Sequence, residues 1–422
     1  MKRILAVLWL LAFGAFAHAD DWPAWRGPTG QGHCTEKNLP LKWSATDNVK
    51  WKIKLAEPGN STPIVWKDKI FLTMAKKGGN LRSLVCFDRA DGKQLWRNDI
   101  AYPETEQNWT TDWYANSSPT TDGERVIVSF GSAGMVCYDL AGKELWKRTD
   151  LGKWQHQFGN ASSPVLYHDL CILYRGPDKL KGQTGLIAVD KKTGKTVWQK
   201  DETALWKKDP AAGFWGTPII VPIDGKDQLL YSPGYSLNGV DPKTGDKLWH
   251  CDGLLEYVYN SPLYSPEQKV AVAMSGFFKS DLAVQVGGSG DITKDRLWLH
   301  PKNDQRVGSG VIVGDHLYIY EEATQERAIG PKCYELKTGK EVWQLEKKVG
   351  GTNWGSMVHA DGKLYVLTRD GSTLIFAASP KYQLLATNRL GNGETTNSSP
   401  AISNGEIFLR TNQHLWCISE KK

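Results

Sequence analysis

"AVDKKTGKTVW", residues 188–198, places an acid, a Thr-Gly pair and a Trp at fixed spacing. Altered copies stand at 86–96 (CFDRADGKQLW), 137–146 (CYDLAGKELW), 239–249 (GVDPKTGDKLW) and 333–343 (CYELKTGKEVW). Two degenerate copies end at Trp298 and Ala386. From Trp51 through Trp96, Trp146, Trp198, Trp249, Trp298 and Trp343 to Ala386, the interval stays between 43 and 52 residues. A repeat of that length marks an array of units that stack on one another.

Each period reads as strands and tight turns. STPIVWKDKIFLT (61–73), SPTTDGERVIVSF (118–130) and SMVHADGKLYVLT (356–368) each hold two β-rich runs around a two-residue turn. A third strand carries the residues before the acid, and a fourth carries the Trp. Four antiparallel strands per period make a propeller blade. Seven units run from Ser61 to about Leu390, and an eighth begins at NSSPAISNGEIFLR (397–410) but stops after three strands. NVKWKIKL (48–55) is a lone strand with its own Trp. The expectation is an all-β, eight-bladed propeller over 48–422, its last blade completed by the N-terminal strand so that no sheet edge is left open.

In this scheme Gly supplies the turn's positive φ, the acid bonds the turn backbone or the Thr hydroxyl, and each Trp lies between adjacent sheets. Trp51, Trp96, Trp146, Trp198, Trp249, Trp298 and Trp343 are therefore read as structural. Cys86, Cys137, Cys333 and Cys417 occupy one repeat position and are read as small buried apolar residues. No Cys-x-x-Cys or Cys/His cluster suggests zinc.

Lys2 and Arg3, an apolar run over 4–16 and Ala17-His18-Ala19 read as a secretory signal peptide over 1–19, followed by an extension over 20–47. No Cys follows the cut to carry a lipid, and no later run is long enough for a membrane span. The expected location is the periplasm or outside the cell. Without Lys2 and Arg3 the formal charge of +6 falls to about +4, which does not favour nucleic acid.

These phrases resemble the tryptophan-docking repeat of the PQQ-type β-propeller superfamily, Ala-x-Asp-x-x-Thr-Gly-x-x-x-Trp, which residues 188–198 match at every fixed position. The superfamily includes quinoprotein dehydrogenases and binding propellers of the BamB type. WPAWRGPTGQG (22–32) also looks like the start of exported bacterial proteins of this kind. The resemblance implies one of two functions. The first is a non-catalytic envelope scaffold, monomeric, with a protein or peptide partner, or a carbohydrate or small ligand, and no cofactor. The alternative is a PQQ- and calcium-dependent dehydrogenase acting on alcohols or sugars. That enzyme group holds PQQ with adjacent cysteines, which this chain lacks; Glu321, Glu322, Asp370 and Glu394 are the acids considered for calcium.

Binding is expected on the face carrying the interblade loops and the second-to-third strand loops, since the opposite turns are short and repetitive. The candidate funnel there comprises Trp109, Trp113, Tyr114, Trp154, His156, Arg175, Phe214, Trp215, Tyr257, Tyr259, Trp354 and Arg369. The competing expectation is that these rings pack beneath the loops as satellite clusters. Asn60, Asn116, Asn160, Asn260 and Asn397, each near the start of a first strand, are read as satisfying backbone groups. His156 has no nucleophile motif beside it, so no catalytic residue is assigned.

Overall fold

The computed structural model describes residues 21–420 except 107–113, 155, 157, 177–183, 210–211, 278–279, 303–305, 323–329 and 346–348. Eight antiparallel four-stranded blades surround one axis. Blade 1 runs from Ile64–Trp66 at the axis to Gln94–Ala101 at the rim, and six further blades follow in chain order to Leu384–Arg389. Blade 8 takes three strands from the C-terminal end (Ala401–Ser403, Glu406–Arg410, His414–Ile418) and its outermost strand, Val49–Lys54, from the N-terminal side. Trp51 lies opposite Cys417 there, so the closing blade has the same register as the others.

The register explains the repeated phrase. The pairs across the two outer strands are Cys86 with Trp96, Cys137 with Trp146, Ala188 with Trp198, Ala283 with Trp298 and Cys333 with Trp343. A small side chain faces each indole because the indole fills the space. In blade 7 the sizes are exchanged, with Ile375 opposite Ala386. A β-bulge next to each pair leaves the preceding residue unpaired. Leu95, Leu145, Val197 and Val342 occupy that position and are exposed, while the following Trp turns inward.

Each indole then docks on the next blade. The indole Nε1 of Trp51, Trp96, Trp146, Trp198, Trp298 and Trp343 donates to a backbone oxygen of Arg89, Leu140, Lys191, Pro242, Leu336 and Ser379, respectively. For Trp51, Trp96, Trp146, Trp198 and Trp298 the turn glycine of that next blade lies beneath the ring; Trp343 meets Tyr382 instead. Gly194, at φ +71°, would place a Cβ 2.8 Å from the Trp146 indole. The glycine thus meets two demands, left-handed backbone and close approach. The motif acid closes the turn, Asp190 accepting from the Thr193 hydroxyl and from the backbone N–H groups of Lys192 and Thr193.

Trp249 departs from the expectation. Its indole folds back on its own blade, Nε1 donating to Gln228 Oε1 at 2.7 Å, and it is fully buried. Blade 5 has no Thr-Gly turn to receive it; a short strand at Gly290–Asp291 pairs alongside Trp249 instead. Gly239 is the facing residue, and a Cβ there would lie 2.3 Å from the ring. Blade 8 likewise lacks a turn between its outer strands, which come from opposite ends of the chain, and blade 7 has Ala386 where a docking Trp would stand.

The seven cysteines are all buried and none forms a disulfide. Among the described residues no helix is long and apolar enough to cross a membrane.

Candidate functional site: an axial cavity

Eight Ser or Thr residues stand just before the innermost strands. Moving around the ring, the backbone N–H of each donates to the hydroxyl of the next. Thr62 donates to Ser118, Ser118 to Ser163, Ser163 to Thr217, and Thr217 to Ser261. Ser261 then donates to Ser309, Ser309 to Ser356, Ser356 to Ser399, and Ser399 back to Thr62. The distances lie between 2.8 and 3.2 Å. This closed girdle links every blade to the next at the axis. Each hydroxyl accepts one bond and keeps its own O–H to donate.

Above the girdle, side-chain amides form an arc over the last blades and the first two. Arg369 Nε donates to Asn397 Oδ1, Asn397 to Asn60, Asn60 to Asn116, and Asn116 to the Asn160 carbonyl. Aromatic rings occupy the side over blades 3 to 5. Trp215 stacks on Tyr259 with centroids 5.0 Å apart, and Tyr257 and Tyr259 lie nearly parallel at 6.3 Å. Phe158 stands edge-on to Trp215, Tyr257 and Tyr259 and stacks with Phe277.

Between amides and aromatics lies a cavity of about 480 Å³. Its lining includes these rings, Trp354, the amides of Asn60, Asn116 and Asn397, and five girdle residues. Its floor is Trp25, which the sequence reading did not select. The segment from Trp22 to Cys34 crosses the ring on the hairpin side. Trp22 bridges Val65, Thr121 N–H donates to the Pro23 carbonyl, Tyr264 N–H to Gln31 Oε1, and His33–Cys34 pairs with His359–Ala360. Arg26 anchors the segment by donating to the Gly310 carbonyl; burial pulls its guanidinium down to about 9. Among the described residues this segment closes the hairpin side of the cavity.

The predicted funnel residues divide. Trp215, Tyr257, Tyr259 and Trp354 line the cavity. Arg369 and His156 stand one layer behind. Arg369 lies over the Trp354 ring at 4.2 Å, and the buried His156 sits edge-on to Trp215 at 4.7 Å, its Nδ1 accepting from Phe158 N–H. The other described candidates do not line the cavity. Phe214 packs against Tyr174 and Tyr231, Trp154 and Arg175 share a small crevice, and Tyr114 lies over Arg82 with its hydroxyl on the Glu106 carbonyl. Trp109 and Trp113 fall outside the described residues. Phe277 was not among the candidates; Phe158 was legible as an aromatic of the interblade loop 153–164, and the asparagines of the arc were read as structural.

The four acids considered for calcium are engaged separately. Glu321 pairs with Arg306 and Lys332, and Glu394 with His414. Glu322 accepts from Asn353 N–H and the Trp354 indole, and Asp370 accepts from Thr368 and Ser372. Among the described residues no group of His, Cys, Asp or Glu is arranged to hold a metal, and the cavity lining has no carboxylate, no cation and no cysteine. These residues do not fit PQQ, a polycarboxylated quinone, with its calcium ion.

A family model described as "Outer membrane protein assembly factor BamB" matches residues 81–326, more than half of the chain. No curated protein matches. Among solved structures, BamB from Moraxella catarrhalis is 13% identical with a TM-score of 0.58, covering 88% of this chain and 96% of its own. A europium-containing methanol dehydrogenase is 11% identical with a TM-score of 0.56, covering 94% and 98%. The quinohemoprotein alcohol dehydrogenase ADHIIG from Pseudomonas putida HK5 is 10% identical with a TM-score of 0.52, covering 95% and 81%. At these identities the likeness is one of fold.

Proposed function

The chain belongs to the family described as outer membrane protein assembly factor BamB, and from that premise we propose that it is an exported, non-catalytic binding propeller of the bacterial envelope. Its loop face holds the ligand or partner element, and the axial cavity is the seat. The observation that carries this reading is the uncharged lining. Half-buried aromatic rings and neutral amides are suited to holding a ligand, whereas oxidation by a bound quinone needs groups to fix the cofactor and accept a proton. Among the described residues the cavity lining holds no such group.

The test is reconstitution. The full chain, incubated with PQQ and calcium and passed through a desalting column, is expected to retain no quinone absorbance and to reduce no acceptor dye with alcohols or aldose sugars. Retained absorbance together with turnover would replace the binding reading with the enzymatic one.

A further inference from the structure

We infer that the axial cavity receives the end of a neutral oligosaccharide. The inference deepens the binding reading above and rests on it. Three features of the cavity select the ligand.

The first is charge. Among the described residues none of the lining side chains is charged. Behind the wall, Arg369 is occupied by the Trp354 ring and Asn397, Glu322 accepts from the same indole, and Arg26 beside the Trp25 ring donates to the Gln31 and Gly310 carbonyls. A buried charge without a partner is strongly disfavoured, so nucleotides, phosphates, uronic acids and carboxylated cofactors are poor occupants.

The second is shape. Among the described residues, Trp25 and the segment around it close the ring below. A polypeptide could enter only by a terminus, which carries charge, or by a bent loop. The end of a neutral glycan carries no charge and needs no bend. At about 480 Å³ the cavity lies within the range of small-ligand sites, roughly 300–1,000 Å³.

The third is the division of the wall. A sugar ring has an apolar C–H face and a rim of hydroxyls, each both donor and acceptor. Trp215, Tyr257 and Tyr259 offer the apolar side. Asn60, Asn116 and Asn397 offer amides that donate and accept, and the girdle hydroxyls offer O–H donors. A purely apolar ligand would leave the remaining N–H of each amide and the girdle O–H groups unmatched.

The experiment is isothermal titration of the full chain with tetrasaccharides of β-1,4-glucose, β-1,4-N-acetylglucosamine and α-1,4-glucose, a β-1,4-glucuronate tetramer, an end-capped neutral peptide, and PQQ with calcium. At least one neutral tetrasaccharide should bind and the glucuronate should not. Tyr259→Ala and Asn397→Ala should each weaken that binding at least tenfold, and Trp25→Phe, which keeps a ring in the floor, should weaken it less. Circular dichroism melts matching the parent show that the variants are folded. Binding of the glucuronate alone, binding unchanged in folded variants, or no saccharide binding at all would overturn the inference. If the capped peptide alone binds and the same variants lose it, the saccharide assignment falls and the binding reading stands. If PQQ with calcium binds instead, both fall.

Discussion

The contact between a docked indole and the turn glycine of the next blade can be tested as a coupled pair. Gly194→Ala puts a methyl 2.8 Å from the Trp146 indole and an L-residue at φ +71°. The left-handed backbone costs about 1–2 kcal/mol. The overpacked contact adds about 1–3 kcal/mol. Trp146→Ala removes a ring only 9% exposed and its 2.9 Å bond to Lys191, at about 3–5 kcal/mol. In the Trp146→Ala background the Gly194→Ala methyl meets empty space, so only the backbone cost remains. The cycle should therefore show a coupling on the order of 1–3 kcal/mol. Urea unfolding followed by far-ultraviolet circular dichroism measures it, since loss of an indole does not disturb that signal greatly. Blade 4 supplies the contrast. Gly239→Ala should couple to Trp249→Ala, because Trp249 folds over its own blade, while Trp249→Ala should show no coupling to substitutions in the blade 5 turn. Additive effects at Gly194 and Trp146 would refute the docking argument.

Further outcomes follow from other parts of the ring. Ser163→Ala leaves the Ser118 N–H without its acceptor and should destabilise by about 1–3 kcal/mol, read from the shift in urea midpoint. Burial, with His359 and Arg26 adding to it, pulls the His33 imidazole down to about 4, and His359 is lowered too. Between pH 6.5 and 4 the unfolded chain then binds a proton that the folded chain does not. Stability from this group is complete above pH 6.5 and is lost as pH falls toward 4, on the order of 2 kcal/mol after discounting partial exposure. The His33→Gln, His359→Gln double variant should flatten that part of the pH profile; an unchanged slope would remove the pair as its source. Burial pushes the Cys86 and Cys137 thiols up to about 12. A thiol reagent at pH 8 should label none of the seven cysteines in the folded chain and all seven in denaturant.

The blade count and the closure of the ring were legible because each period repeats the same turn and Trp, and the unmatched strand at 48–55 had one place to go. The orientation of Trp249 was written in two residues whose meaning depends on pairing. Gly239 stands where the other blades with an outer-strand Trp have Cys or Ala, and the next blade lacks Thr-Gly. The site was legible only in part. Along 213–215 and 257–259 side chains alternate, so Phe214 and Val258 pack away while Trp215, Tyr257 and Tyr259 face the axis. Composition alone does not phase that alternation in a loop. Trp25 was hidden for a different reason. Its segment has no periodicity, and its partners at Val65, Thr121, Tyr264 and His359 are scattered along the chain. The hydroxyl girdle was visible as repeated Ser and Thr before each first strand, but its bonds run between blades, which sequence spacing does not show.

The most direct measurement is the electron density of the full chain crystallised with the tightest-binding neutral tetrasaccharide of the panel. Sugar rings are expected against the Trp215, Tyr257 and Tyr259 side, with the terminal ring above Trp25 and no sugar density on the hairpin face. Density at the rim or the hairpin face, or residues 22–34 lying off the ring so that the axis is open from end to end, would contradict it.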